Sequence, residues 1–257
     1  MATTDAHRVA QARRWFRRVG YDAVDADGAK VVSTPEHPST WEANWVMAAP
    51  GAGPAAVLSA LDRHFADGWQ VVHVDVLTDP AVEAALALAG FSAEGALIEM
   101  VARDVTPTRP VPALEYDAIG PGEWPRFARL AAIDAAEGGR SSDVAAGLLD
   151  AKGRRLAGCQ LWLLKEEGED IGFGFTAACP NGLGLIEHLF TLPSHRGRGV
   201  MSGFIAEATR RLRGGGCDAV FLDAHAHDTP KRLYARLGFA PVALTRTWVR
   251  AGVRQAG

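Results

Sequence analysis

The chain has 257 residues, of which 48% are hydrophobic and 22% are charged, as is typical of a soluble globular protein with one large or two small domains. Its formal net charge of -3 argues against a general affinity for nucleic acid or an acidic membrane. No apolar run reaches the roughly 18 residues of a membrane span, and the arginine-rich start lacks the apolar core of a signal peptide. The three cysteines have no metal or redox spacing, so we expect free thiols, no metal and a cytoplasmic location.

In the first 105 residues the pattern predicts a helix over residues 55–65 and a strand over residues 71–76. Residues 106–112 contain three prolines. Proline fixes φ and disfavours helix in the residue before it, so this segment is typical of an extended linker. We therefore predict two domains, residues 1–105 and residues 113–250, joined by the linker 106–112.

After the linker, the pattern predicts elements in the order β-α-α-β-β-β-α-β-α-β, which indicates an α/β protein with a mixed sheet (α+β). The predicted strands cover residues 114–119, 159–164, 171–178, 185–192, 219–224 and 241–249. The predicted helices cover residues 124–136, 143–149, 200–213 and 229–237.

The first half also repeats the tail of the second half at one fixed offset of 148 positions. A repeat at a fixed offset indicates two copies of one fold, and chance similarity of two alanine-rich stretches is the alternative. The offset pairs Gly51 with Gly199, Gly68 with Gly216, Asp75 with Asp223, Phe91 with Phe239, Ala48 with Arg196, Pro50 with Arg198 and Leu86 with Tyr234.

The turn before the predicted helix 200–213 is the most informative segment of the chain. The first N–H groups of a helix have no intrahelical partner, and the helix dipole favours an anion there. Gly197 and Gly199 let the backbone approach a phosphate, and Arg196 and Arg198 supply positive charge. The turn therefore predicts a pyrophosphate site, and it fits neither GxxxxGK[ST] nor GxGxxG.

This turn resembles the acetyl-CoA loop of the GCN5-related N-acetyltransferase (GNAT) family, whose pattern is Arg/Gln-x-x-Gly-x-Gly/Ala. Arg196 and Gly199 fit the pattern, and Met201 departs from it at the sixth position. Residues 231–239 resemble the final helix of the family, which ends in Tyr-x-x-x-Gly-Phe and here contains Tyr234. The resemblance covers about residues 112–250 and implies the acyl-CoA N-acyltransferase fold, with a complete C-terminal copy and a shortened, non-catalytic N-terminal copy.

The resemblance also implies acetyl-CoA, or another acyl-CoA, as co-substrate. Backbone groups of Leu189, Phe190 and Thr191, where the strand of the family is bulged and splayed, would hydrogen-bond the pantetheine arm like a strand added to a sheet edge. The residues that would hold the diphosphate are Arg196, Gly197, Arg198, Gly199, Val200, Met201 and Ser202.

Glu187 and Tyr234 are the candidate catalytic residues. Strand alternation predicts Leu185, Glu187, Leu189 and Thr191 on one face. By resemblance, Glu187 relays a proton from the amine, and its apolar neighbours predict a raised pKa; a solvated or ion-paired glutamate is the alternative. Tyr234 aligns with the family tyrosine that can protonate the CoA thiolate, and ring packing between helix and sheet is the alternative.

These features predict an acetyl-CoA-dependent N-acetyltransferase that acts on the primary amine of a small molecule, by direct attack in a ternary complex. One alternative acceptor is a macromolecular amine, such as a protein N-terminus, a lysine or an aminoacyl-tRNA. A non-catalytic acyl-CoA-binding regulatory module is the alternative from another class. We expect no membrane or nucleic-acid partner, and both a monomer and a homodimer stay open.

Overall fold

The computed structural model describes residues 4–251. Its helices are α1 (Asp5–Arg18), α2 (Pro54–His64), α3 (Pro80–Leu88), α4 (Trp124–Glu137), α5 (Ser142–Arg155), α6 (Val200–Gly214) and α7 (Pro230–Arg236). Its strands are β1 (Val24–Ala26), β2 (Ala29–Val32), β3 (Trp45–Ala48), β4 (Trp69–Val74), β5 (Ser92–Ala102), β6 (Glu115–Ile119), β7 (Gln160–Glu166), β8 (Glu169–Ala178), β9 (Leu183–Thr191), β10 (Ala219–His225) and β11 (Ala240–Ala251).

These elements form two compact units that are discontinuous in sequence. Unit 1 comprises residues 4–98, Ser142–Arg154 and residues 243–251, and unit 2 comprises Glu99–Ser141 and Arg155–Val242. Most of the C-terminal strand β11 thus belongs to unit 1, and the end of β5 belongs to unit 2. The boundaries predicted at residues 105 and 113 come from the proline-rich segment 106–112, whereas the observed units divide β5 after Ile98 and β11 after Val242.

Unit 1 has the strand order β1-β2-β3-β4-β11. The hairpin between β1 and β2 turns through Asp27 and Gly28, both with positive φ, as a two-residue type I′ turn requires. Strand β3 runs parallel to β4, and β11 pairs antiparallel with β4 from Arg246 opposite Val74 onward. Helices α2 and α3 contribute Leu61 and Leu86 to the apolar core of this unit.

Unit 2 has the strand order β10-β9-β8-β7-β6, with the end of β5 next to β10. Strands β6 to β9 form an antiparallel meander, and β10 is parallel to β9. On β8, Phe173 contacts Phe127 of α4, whereas a Cβ added at Gly174 would meet Phe204 of α6. Successive strand residues point to opposite faces, so α4 and α6 cover opposite faces of the sheet in this unit.

The mixed α/β class is confirmed, and each element predicted after the linker is present. The largest difference is α5, predicted to end at residue 149 and observed to continue to Arg155. An ion pair of 2.7 Å between Asp150 and Arg154 supports the extra turn, because residues four apart are neighbours on a helix surface. None of the described helices has the length and hydropathy of a membrane span.

Candidate functional site

Strand β9 is interrupted by a bulge at His188, which has a φ of 51°. Glu187 lies opposite Phe175 of β8, and Phe190 lies opposite Phe173. Between these two pairs, His188 and Leu189 of β9 face the single residue Gly174 of β8. Two residues opposite one define a β-bulge.

The bulge changes which side chains share a face. Phe173 and Phe175 lie on one face of β8, so their partners Phe190 and Glu187 also share that face. Thr191 lies opposite Gly172 and therefore points to the other face. The prediction that strand alternation continues from Glu187 to Thr191 is wrong, because the extra residue shifts the alternation by one.

The pairing of β9 with β10 ends just before the bulge. In the part of the chain that the structure describes, their parallel register runs from Leu183 opposite Ala219 to Leu185 opposite Phe221. Both strands continue further, β9 to Thr191 and β10 to His225. The carboxyl ends of the two strands are thus not paired with each other, which leaves backbone groups able to bond an extended ligand in the gap between them.

The turn after β9 places two glycines in the left-handed region. Gly197 has a φ of 76°, and Gly199, the N-cap of α6, has a φ of 89°. A Cβ at Gly199 would also lie 3.0 Å from the carbonyl oxygen of Pro110. The N–H of Gly203 donates to the carbonyl of Gly199 at 2.9 Å, so the amides that precede it at the start of α6 are those without an intrahelical acceptor.

Arg196 lies against the end of β9. Its Nε donates to the carbonyl of Thr191 at 3.0 Å, and its Nη2 contacts Glu137 Oε2 at 2.5 Å. The guanidinium also lies 5.9 Å from the ring centroid of Phe190, which itself stacks on Phe173 at 5.2 Å. These contacts orient Arg196, and the ion pair with Glu137 occupies one edge of its guanidinium.

Arg198 is held by β7. Its Nη2 donates to Glu166 Oε1 at 2.8 Å, and the second carboxylate oxygen of Glu166 lies 3.7 Å from His195 Nε2. The Glu166 side chain is only 14% exposed, whereas that of Arg198 is 50% exposed. Much of the Arg198 guanidinium therefore faces solvent.

The turn and the start of α6 border a cleft of about 450 Å³ within unit 2. Most of the predicted cofactor residues line it, whereas Leu189, Phe190 and the catalytic candidates Glu187 and Tyr234 are not among its lining residues. The lining residues are Thr108, Arg109, Pro110, Thr191, His195, Arg196, Gly197, Arg198, Gly199, Val200, Met201, Ser202, Leu233, Arg236 and Leu237.

Besides His195, two groups of lining residues were missed by sequence reasoning. The segment 108–110 was interpreted only as a linker, and its place beside Gly199 depends on a long-range contact that no local pattern encodes. Leu233 and Arg236 come from α7, and Leu237 directly follows it. Their i, i+3, i+4 spacing marks one helix face and was a signal available in the sequence.

The side chain of Tyr234 lies on α7 and is 6% exposed. Burial raises the pKa of Tyr234 above its usual range, and the negative charges of Asp223, Glu187 and Asp228 raise it further. The phenol is therefore neutral at physiological pH and can donate a proton.

Glu187 also acts on Cys159. Burial raises the pKa of the Cys159 thiol to about 12, the positive charge of Arg155 lowers it and the negative charge of Glu187 raises it. A thiol with such a pKa is protonated at neutral pH and is a poor nucleophile. The rings of His225 and His227 lie 5.7 Å apart, and no group of three or more potential metal ligands occurs within residues 4–251.

Residues 157–241 match the model of the acetyltransferase (GNAT) domain. The chain is 21% identical to a GCN5-related N-acetyltransferase from Kribbella flavida, with a TM-score of 0.72 over 99% of each chain. It is 12% identical to a tandem GNAT protein from the clavulanic acid biosynthesis pathway, with a TM-score of 0.56 over 97% of each chain.

A functionally unknown conserved protein from Staphylococcus epidermidis has a TM-score of 0.67 and 12% identity, over 91% of this chain and 96% of its own. None of the curated protein sequences matches the chain. Residues 157–241 are therefore a GNAT acetyltransferase domain, and the chain has the mixed α/β fold of the GCN5-related N-acetyltransferases.

Proposed function

We propose that unit 2 is an acetyl-CoA-dependent N-acetyltransferase that acetylates the primary amine of a small molecule in a ternary complex. The observation that carries this proposal is the cleft at the start of α6, where left-handed Gly197 and Gly199 lie between Arg196 and Arg198. A diphosphate site requires free helix amides, positive charge and glycines that let the backbone come close, and this turn has all three.

The gap between β9 and β10 is suited to the pantetheine arm. The Thr191 Oγ1 atom is buried and has no hydrogen-bond partner among the described residues, and Thr191 also lines the cleft. A buried hydroxyl without a partner is costly, so an amide of the pantetheine would satisfy it. We propose that backbone groups of Leu189, Phe190 and Thr191 bond the arm in the manner of an added strand.

A bound acetyl-CoA supplies an activated acyl group, whose carbonyl carbon forms a bond to the amine nitrogen while its C–S bond breaks. Glu187 accepts the proton that the amine loses, directly or through water. Tyr234 donates its phenolic proton to the departing sulfur, and its raised pKa ensures that this proton is present. A backbone N–H at the bulge faces the carbonyl oxygen as negative charge develops there.

We propose one active site per chain, with the N-terminal half as a non-catalytic copy. In this proposal the predicted domains, residues 1–105 and residues 113–250, are the two copies of the fold. Positions equivalent to Arg196, Arg198 and Tyr234 are Ala48, Pro50 and Leu86 in the first copy, which removes both cations and the proton donor.

The test is incubation of the full chain with acetyl-CoA and a library of amines, with mass detection of acetylated products. We expect products from small primary amines in the parent and a rate lower by about 10²-fold in Glu187→Gln, with CoA affinity nearly unchanged. The variant should also lose the acidic limb of the pH–rate profile, because that limb reports protonation of the general base. Products confined to peptide or tRNA amines would contradict the small-molecule acceptor, and CoA binding without any product would contradict catalysis.

A further inference from the structure

The cleft contains two arginines beyond those of the pyrophosphate turn. Arg109 comes from the segment between the two copies, and Arg236 comes from α7. Arg196 and Arg198 are ion-paired with Glu137 and Glu166, whereas neither Arg109 nor Arg236 has an acidic partner within residues 4–251. The cleft therefore has more positive charge than its own carboxylates balance.

The position of Arg109 is fixed by its neighbours. The carbonyl oxygen of Pro110 lies 3.0 Å from where a Cβ of Gly199 would be, and Val111 lies 3.4 Å from the equivalent point at Gly203. The segment thus packs along the first turn of α6, and Thr108, Arg109 and Pro110 all line the cleft. Proline also limits the backbone freedom of this segment, so the backbone at Arg109 has little conformational entropy left to lose.

Arg236 approaches the cleft from α7. It shares a helix face with Leu233 and Leu237, which line the cleft beside it, whereas Tyr234 is buried on the same helix. Arg236 and Arg109 are thus both distant in sequence from the pyrophosphate turn.

We propose that Arg109 and Arg236 form a second anion subsite, which binds the 3′-phosphate of CoA. This inference rests on the proposed function. CoA carries a diphosphate and, on the adjoining ribose, a phosphate monoester whose charge is close to −2 at neutral pH. With the diphosphate on the α6 turn, the monoester is the remaining anion of the molecule, and guanidinium groups are well matched to phosphate oxygens.

The test is a calorimetric titration of the full chain with CoA and with dephospho-CoA, which lacks only the 3′-phosphate. We expect the parent to prefer CoA by about tenfold or more, from two arginines that act on a dianion near the surface. The preference should fall in Arg109→Ala and in Arg236→Ala, and should approach one in the double variant.

Arg232→Ala is the matched control, since Arg232 is an exposed residue of the same helix that does not line the cleft. It should keep the parental preference. Unchanged affinity for dephospho-CoA in the double variant shows that the variant is folded and retains the diphosphate site.

The two proposals fail in different ways. Equal affinities of the parent for the two ligands, or a preference that survives in the double variant, would overturn the 3′-phosphate subsite and leave the acetyltransferase proposal standing. Absence of binding of either ligand to the parent would overturn both. Loss of acceptor affinity in the double variant, with its preference for CoA intact, would instead assign the arginines to an anionic acceptor and overturn the subsite.

Discussion

The two halves of the chain have equivalent elements but different side chains at the equivalent helix start. At the offset of 148, α3 falls on α7 and β5 falls on β11 to within two residues at each end. The φ of Gly51 is 79° and that of Gly199 is 89°, so the left-handed backbone before the helix is also kept. The repeat therefore preserves backbone geometry.

The start of α2 in the first half lacks what an anion needs. Ala48 and Pro50 replace the two arginines, and Pro54 stands at the position of Ser202. Proline has no N–H, so even the backbone of this helix start offers one donor fewer than α6. The single-site proposal therefore expects this helix start to bind no diphosphate.

The equivalent aspartates show the same contrast. Asp75, opposite Asp223 in the repeat, forms two 2.7 Å bonds to the Arg14 guanidinium, which also donates to the Ala48 carbonyl at 2.8 Å. The negative charge of Asp223 instead raises the pKa of Tyr234. The aspartate of the first half thus binds Arg14, and the charge of its counterpart in the second half acts on a candidate catalytic residue.

The strongest test of this contrast is charge reversal at equivalent positions. Arg198→Glu should weaken CoA binding by on the order of 10³-fold, since a cation is replaced by an anion beside a diphosphate. Pro50→Glu, at the equivalent exposed position, should leave the affinity unchanged. Calorimetry should also give one CoA per chain, and two per chain or equal losses in both variants would refute the single-site proposal.

The ion pair of the first half predicts a large effect on stability. The Arg14 and Asp75 side chains are 12% and 3% exposed, and removal of one partner of a buried pair costs about 3–5 kcal/mol because the other charge remains buried. Arg14→Leu should lower the free energy of unfolding by about 3 kcal/mol in urea denaturation. Arg14→Leu with Asp75→Asn should recover part of that loss, and no recovery would mean that packing of Arg14, not its charge, stabilises unit 1.

Periodicity and glycine positions allowed much of this fold to be predicted. The order of elements after the linker follows from local pattern, and Gly197 and Gly199 predicted the turn before α6. The bulge at His188 could not be located in the same way. It depends on how β9 registers with β8, which is a property of two strands and not of the sequence of one.

The cleft shows a similar limit. Its floor, the turn at Arg196–Ser202, is continuous in sequence and could be predicted. Its wall at residues 108–110 comes from a proline-rich segment that local rules class as a linker, and only its packing on Gly199 makes it part of the site. The carboxylates paired with the arginines, Glu137 and Glu166, are likewise distant in sequence.

Tyr234 predicts an effect on turnover and on alkaline stability. Tyr234→Phe should lower kcat by about 10²-fold, since the proton donor is lost, with the KM for acetyl-CoA little changed. A folded pKa above the unfolded value of about 10 contributes stability that is present below that pH and is lost as pH rises above it. The variant should therefore lose less stability than the parent above pH ~10.

Tyr116→Phe is the matched control for turnover. Burial raises the pKa of Tyr116 to about 12, so this variant should share the flatter alkaline profile but retain the parental kcat. Parental turnover in Tyr234→Phe would leave the tyrosine with a packing role only, as Leu86 has in the first half.

The smallest effect concerns the carboxylate that pairs with Arg198. Bound diphosphate and Glu166 compete for the same guanidinium, whose bond to Glu166 is 2.8 Å. A pair in which the arginine is half exposed stabilises the protein by about 1 kcal/mol at most, so Glu166→Gln should tighten CoA binding by no more than about fivefold.

Glu167→Gln, at the exposed neighbouring position, is the control and should bind CoA like the parent. The gain should shrink in high salt, because screening weakens the competing ion pair. Weaker binding in Glu166→Gln would show instead that the carboxylate orients Arg198 for the diphosphate. The second half would then differ from the first both in the cation, which Pro50 replaces, and in the carboxylate that positions it.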